Sequence, residues 1–158
     1  FKKDGTITAA NASTINDGAA ACILMSAKKA EELNIKPIAK ILSQSSIAQA
    51  PEWFTTAPIK AMKKAISISG VSIDMIDLFE INEAFSVVPM AAIKDLNIDS
   101  EKVNIYGGSV SLGHPIGASG ARIMCTLLNA MDKQNVKVGL ASLCIGGGEA
   151  SAMIVEKF

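Results

Sequence analysis

The sequence predicts an α/β fold, a mixed β-sheet covered by helices, and three features of its 158 residues carry that expectation. Short apolar runs suited to buried strands alternate with stretches of helical period. Their order reads β-α-β-α-β-α and closes in a hairpin, the pattern of an α/β sheet rather than of segregated layers. The composition is 49% hydrophobic with a formal net charge of zero, a globular balance and not a disordered one. No linker, repeat or low-complexity tract divides the chain, so residues 1–158 are expected to form one domain of ordinary size.

In chain order, Gly18 precedes an apolar run from Ala19 to Ser26 that reads as a buried strand, and AKKAEELN supplies a polar helical turn or two. After Pro37, IAKILSQS alternates apolar and polar residues like a strand with one wet face. A loop with Pro51, Trp53 and Pro58 leads to a helix over Ile59 to Ser69, with Ile59, Met62, Lys63 and Ile66 near one stripe and Gly70 as its stop. Ile76 to Ile81 is a strand, and Phe85 to Leu96 an apolar helix that must hold Pro89 in its first turn or kink there. The glycine-rich stretch Gly107 to Arg122 opens a helix running to about Met131. VKVGLASLC is a buried strand ending at Cys144, Gly146 to Gly148 turn the chain, and ASAMIVEKF returns as the last strand.

Several function classes are excluded. Acidic and basic residues are interspersed and aromatics are few, which argues against nucleic acid as a partner. No apolar run approaches the ~20 residues that span a bilayer. Cys22, Cys125 and Cys144 form neither an even disulfide framework nor a CxxC pair, and one histidine makes a zinc site held by protein alone improbable. Free thiols fit a reducing compartment. The opening FKKDGTITAANAS carries no signal or transit pattern and reads as sequence from within a protein.

Three segments place reactive groups where α/β sheets collect their sites, at strand ends and beside glycines. Asn82-Glu83-Ala84-Phe85 lies where strand gives way to helix, and Asn82 there is either a site residue or a helix cap. His114, between Gly113 and Pro115, is either a loop histidine bonded to a carbonyl or a general base. Cys22 and Cys125 read as small hydrophobes in apolar surroundings. Cys144 differs, because three glycines begin two residues on, and NH groups in such a turn can lower a thiol pKa or hold an oxyanion. The glycine-rich loop contains neither GxGxxG nor a P-loop ending, so a nucleotide site is disfavoured.

Together, NEAF (Asn82 to Phe85), GGSVSLGHPIGASGARI (Gly107 to Ile123) and CIGGG (Cys144 to Gly148) resemble the signature blocks of thiolases. GTITAANASTINDGAAA (Gly5 to Ala21) resembles the family's pantetheine-binding stretch, so the likeness spans essentially the whole chain. It implies the C-terminal half of a thiolase, one half of a layered αβαβα fold. TAANAS, NEAFSVV, VSLGHPIG and EASAM look most similar to the family branch that reversibly condenses two acetyl-CoA to acetoacetyl-CoA and CoA through an acyl-cysteine.

By that resemblance, His114 matches the base that activates a nucleophilic cysteine, and Cys144 the second cysteine, which takes the α-proton of the attacking acetyl-CoA. Asn82 matches the residue that positions a water completing an oxyanion hole with His114, and the Gly146 NH matches part of a second such hole. Ser13, Ile15, Ala84 and Phe85 match the lining of the pantetheine channel. Ala9, Ala10, Ala12 and Val110 match positions whose carbonyls bind a potassium ion in mitochondrial-type members. No cofactor is required by this reading; coenzyme A thioesters are the substrates.

The family's nucleophilic cysteine has no counterpart here, so the chain is expected to be inactive without a partner N-terminal half. Glu149-Ala150 stands where many relatives have Gln-Gly, and Ser109 and Ser111 replace alanines common in that loop. The resemblance further implies a homodimer or homotetramer, in the cytoplasm or alternatively the mitochondrial matrix. Two alternatives remain open: a degradative thiolase acting on longer 3-ketoacyl-CoA, and a non-catalytic acyl-CoA-binding relative.

Overall fold

The computed structural model describes residues 2–158. Four strands form one sheet: β1 (Ala39–Ala48), β2 (Leu78–Ile81), β3 (Val138–Cys144) and β4 (Glu149–Lys157), in the spatial order β1-β4-β3-β2. β1 and β3 both run antiparallel to β4, whereas β2 and β3 are parallel with Ile81 opposite Ser142. The sheet is therefore mixed, as expected. The parallel pair requires a crossover, and the long connection between β2 and β3 provides it with three helices, α3 (Val87–Leu96), α4 (Ser109–Leu112) and α5 (Ser119–Gln134). Two further helices, α1 (Ala27–Glu32) and α2 (Ala57–Ser69), precede β2.

Both faces of the sheet are covered. On one, Ala57, Ala61, Met62 and Ala65 of α2 and Val88 and Ala92 of α3 pack against Phe79, Ile81, Leu140 and Ile154. On the other, Ile123, Leu127, Ala130 and Met131 of α5 cover Leu78, Ala141 and Val155. Neighbours in sequence such as Leu78 and Phe79, or Ile154 and Val155, belong to opposite layers, as the two-residue period of a strand demands.

The buried stripe of α2 is not the one expected. Ala57, Pro58, Ala61, Met62 and Ala65 face the core, and Lys63 turns outward to pair with Asp95 of α3 at 2.5 Å. Small residues win because α2 lies close on β1, where Ser43 and Ser45 are buried and donate to the Ala65 and Ala61 carbonyls at 2.8 and 2.6 Å. The alternating pattern puts those serines on a wet face; an irregularity in the register between Ile41 and Ser43 turns them inward and leaves Ile41 exposed. Pro89 sits in the first turn of α3, and Gly70 ends α2 in a left-handed conformation, both as expected.

The strand expected over Ala19 to Ser26 does not form. The segment has no strand pairing, and Ile23 and Leu24 are 88% and 72% exposed. It runs along α5 on the side away from the sheet, with Cys22 Sγ 3.7 Å from Cys125 Sγ. An apolar strand is stable only beside another strand edge, and no edge reaches this segment among the described residues.

Candidate active site

β2 and β3 end together, so parallel pairing carries Asn82 and Cys144 to the same end of the sheet. The Asn82 NH continues the ladder by donating to the Ser142 carbonyl at 2.9 Å. Asn82 is 1% exposed and Cys144 is 7% exposed. Asn82 is not a helix cap, because α3 starts five residues on with Ser86 in the capping position.

His114 reaches the site differently, from the loop between α4 and α5. The extended segment Asn11 to Asn16 ties that loop to the Asn82 loop. The Ser13 NH and hydroxyl donate to the Ala84 carbonyl at 3.1 and 3.0 Å, and the Ser86 NH donates to the Asn11 carbonyl at 2.9 Å. Further along, the His114 NH donates to the Thr14 carbonyl at 2.9 Å, with Ile15 and His114 paired as a parallel bridge. Gly113 has φ of +95°, and a Cβ there would collide with the Asn16 side chain, so the turn that delivers His114 needs glycine.

The ring of His114 is held through Nδ1. Its Nδ1 lies 2.6 Å from the hydroxyl of Ser119, which is fully buried in the first turn of α5 and donates its one proton to the Pro115 carbonyl at 3.1 Å. With the Ser119 proton on that carbonyl, Nδ1–H is the donor to Ser119 Oγ and Nε2 carries the free lone pair. Burial, and secondarily the positive charge of Arg122, hold the imidazole pKa below 6.5, so the ring is neutral at pH 7. A neutral imidazole with Nε2 bare is a ready base.

Cys144 departs from expectation. The glycine turn does not lower its pKa; burial dominates and pushes the thiol up to about 11, with a backbone hydrogen bond opposing. The thiol is therefore protonated at neutral pH, the form that donates a proton. Beyond it, the Ile145 NH bonds the Glu149 carbonyl at 2.8 Å and the Gly148 NH bonds the Ile145 carbonyl at 3.1 Å, closing the turn. Gly146 is exposed, and a Cβ on it would meet nothing within 4 Å, so the space over its backbone is open.

The other expected residues are partly assembled. Ser13, Ala84 and Phe85 meet in one patch, where Ala12 bridges Phe85 and the Phe85 ring stands edge-on to Phe54 at 6.1 Å. Ile15 is 83% exposed, on the rim. Ala9, Ala10 and Ala12 lie in and just after a turn closed by Thr8 and Asn11, while Val110 is the second residue of α4 with its NH bonded to the Glu83 carboxylate at 3.1 Å. Among the described residues, no group of three His, Cys, Asp or Glu side chains could hold a metal ion. No helix among them is long and apolar enough to cross a membrane.

Sequence reasoning missed a polar network beneath the site. Ser109 donates to Asn82 Oδ1 at 2.6 Å, Arg122 Nη2 donates to Ser109 Oγ at 3.0 Å, and Arg122 Nη1 lies 3.6 Å from the buried Glu80 carboxylate. Glu80 is pushed up to about 7, chiefly by burial against the opposing charge of Arg122. Two signals were available: Glu80 interrupts the apolar run LFEI, and Arg122 is the only arginine in the chain.

A mixed sheet with helices on both faces, with Asn82 and Cys144 leaving neighbouring parallel strands at one end, defines the fold class. Residues 35–157 match the family described as thiolase, C-terminal domain, residues 1–28 match thiolase, N-terminal domain, and the chain belongs to the thiolase family. It is 52% identical over 157 residues to an acetyl-CoA acetyltransferase of Schizosaccharomyces pombe and 54% identical to acetyl-CoA acetyltransferase 1 of Arabidopsis thaliana. These alignments cover 99% of the chain but 40% and 38% of the relatives, so it spans about two fifths of their length. Among solved structures it is similar to the acetyl-CoA acetyltransferase of Bacillus anthracis (TM-score 0.97, 42% identity) and to the Acat5 thiolase of Ascaris suum in complex with coenzyme A (TM-score 0.94, 53% identity). Each comparison covers all of the chain, and 40% and 41% of those proteins respectively.

Proposed function

We propose that this chain supplies the acid/base half of an acetyl-CoA C-acetyltransferase, which reversibly condenses two acetyl-CoA to acetoacetyl-CoA and CoA. The observation that supports it is that Asn82 and Cys144 leave neighbouring parallel strands while the segment Asn11 to Asn16 is bonded to both the Asn82 loop and the His114 loop. In the condensation, a nucleophilic cysteine from the other half takes an acetyl group from the first acetyl-CoA. His114 Nε2 accepts that thiol's proton. The departing CoA sulfur takes the proton of the Cys144 thiol, and the Cys144 thiolate so formed removes an α-proton of the second acetyl-CoA. The resulting carbanion attacks the acetyl-cysteine carbonyl, the new C–C bond forms, and the cysteine leaves as a thiolate that regains its proton from His114.

In the thiolytic direction the buried Cys144 thiol returns that proton to carbon, and its raised pKa suits this donor role. The α-proton of a thioester is weakly acidic, so its removal needs donors on the oxygen as well as a base. Asn82 with its water, His114 and the open Gly146 NH fill that role. Ser13, Ile15, Ala84 and Phe85 line the pantetheine arm. Residues 1–158 act as one unit that pairs with an N-terminal half, and the assembled enzyme is a homodimer or homotetramer of the cytoplasm or mitochondrial matrix. The neutral carbonyls of Ala9, Ala10, Ala12 and Val110 are a donor set suited to a monovalent cation such as potassium.

The test is acetoacetyl-CoA thiolysis by the full-length protein carrying Cys144→Ala or His114→Ala. Each change is expected to cost on the order of a hundredfold or more. Wild-type cleavage of longer ketoacyl-CoA alone would move the substrate to a degradative thiolase, and CoA binding without turnover would indicate a non-catalytic binder.

A further inference from the structure

An amide side chain has two ends of nearly equal shape, an acceptor oxygen and a donor NH2, and a site that needs one must exclude the other. Asn82 is almost completely buried, and its Oδ1 receives the hydroxyl proton of Ser109 at 2.6 Å. Ser109 is fully buried too, and its Oγ receives Nη2–H of Arg122 at 3.0 Å. A guanidinium only donates, so it cannot take the serine proton. That proton is left for Asn82. The same Nη2 also points at Oδ1 itself, at 3.5 Å. Turning the amide over would set Nδ2–H against a second donor on Arg122.

The chain Arg122 to Ser109 to Asn82 thus runs in one direction and ends on Asn82 Nδ2, which is buried and has no hydrogen-bond partner within the described residues. A buried donor without a protein partner calls for an acceptor such as a water or a ligand oxygen, as Nε and Nη1 of Arg122 do beside it. Glu80, two residues before Asn82 on β2, holds the far side of the guanidinium.

We infer that Arg122 and Ser109 are positioning residues that lock the Asn82 amide with Nδ2 toward the water that meets the thioester oxygen, a device that rests on the acetyltransferase reading above. They act through Asn82 and need not touch substrate.

The experiment is a double-mutant cycle in the full-length protein, reading kcat and KM for acetoacetyl-CoA thiolysis together with the thermal midpoint. Ser109→Ala is expected to lower kcat about five- to tenfold, the effect of one buried hydrogen bond, with KM within about twofold. In an Asn82→Ala background the same change should alter kcat less than about twofold, because the group it orients is gone. Ser109→Thr, which keeps the hydroxyl, should recover most of the rate, and Arg122→Gln should mimic Ser109→Ala in its kcat effect. A loss from Ser109→Ala of equal size in both backgrounds, or no loss with Asn82 present, overturns the lock. Full activity in Asn82→Ala would instead overturn the assignment of Asn82 and the lock with it. Slow Asn82→Ala with no coupling sinks the lock alone.

Discussion

Replacing Ser119 with alanine should slow the enzyme without disturbing its fold. The hydroxyl has two contacts: it accepts from His114 Nδ1 at 2.6 Å and donates to the Pro115 carbonyl at 3.1 Å. Truncation leaves that carbonyl its bond from the Ala118 NH at 2.8 Å, so the turn into α5 persists. The imidazole loses its only described side-chain partner. Its Nδ1–H tautomer is no longer favoured, and the fraction of enzyme with Nε2 free to accept a proton falls. A buried hydrogen bond contributes about 1 kcal/mol, somewhat more when short, which corresponds to a five- to tenfold loss at roughly 1.4 kcal/mol per decade. In steady-state thiolysis by the full-length protein, kcat should fall by about that factor with KM little changed. Ser119→Thr should fall less. An unchanged kcat in Ser119→Ala, or a loss matched by a large drop in thermal midpoint, would refute the orienting role.

Other consequences follow from the charges and the surface. The acid limb of kcat/KM should lie below pH 6.5, because burial and Arg122 hold His114 neutral; a limb at or above 6.5 would contradict this. Glu80 is pushed from 4.5 to about 7, so the native state binds the extra proton between those values. The stability this confers is fully present below about pH 4.5 and lost as pH rises through about 7, roughly 3 kcal/mol in all. Denaturant midpoints of Glu80→Gln should lack that part of the pH slope. The chain expressed alone should self-associate, since Ile15, Ile23, Leu24, Leu112 and Ile116 are all more than half exposed. Light scattering showing a clean monomer would count against this.

The sheet and its helices were legible in the sequence wherever an element is stabilised by contacts within the chain. β3 and β4 read correctly because their apolar runs meet each other and a glycine turn, and Gly148 there has φ of +100° with the Gln49 carbonyl against it. Ala19 to Ser26 read as a strand because its composition is that of one, yet pairing is not a property of composition. The serines of β1 misled for a related reason: a hydroxyl is scored as wet, but at close range it satisfies a helix carbonyl in the core.

At the site, the glycines beside His114 and Cys144 drew attention because chemistry needs close approach. The polar groups bonded to His114 and Asn82 stayed hidden. Ser109, Ser119 and Arg122 lie within thirteen residues of one another on α4 and α5, but only folding brings them under β2, where Glu80 and Asn82 wait. The raised pKa of Cys144 is not legible in the sequence, because burial, which sequence cannot measure, outweighs the turn's NH groups.

The most direct test of the account is exchange of the acetyl-CoA methyl protons with deuterium oxide, catalysed by the full-length protein and followed by NMR. Wild type should exchange them. Cys144→Ala should lose exchange by about a hundredfold or more while still forming the acetyl-cysteine and releasing CoA. Exchange at the wild-type rate in Cys144→Ala would show that another group moves the α-proton, and the assignment of Cys144 would fall.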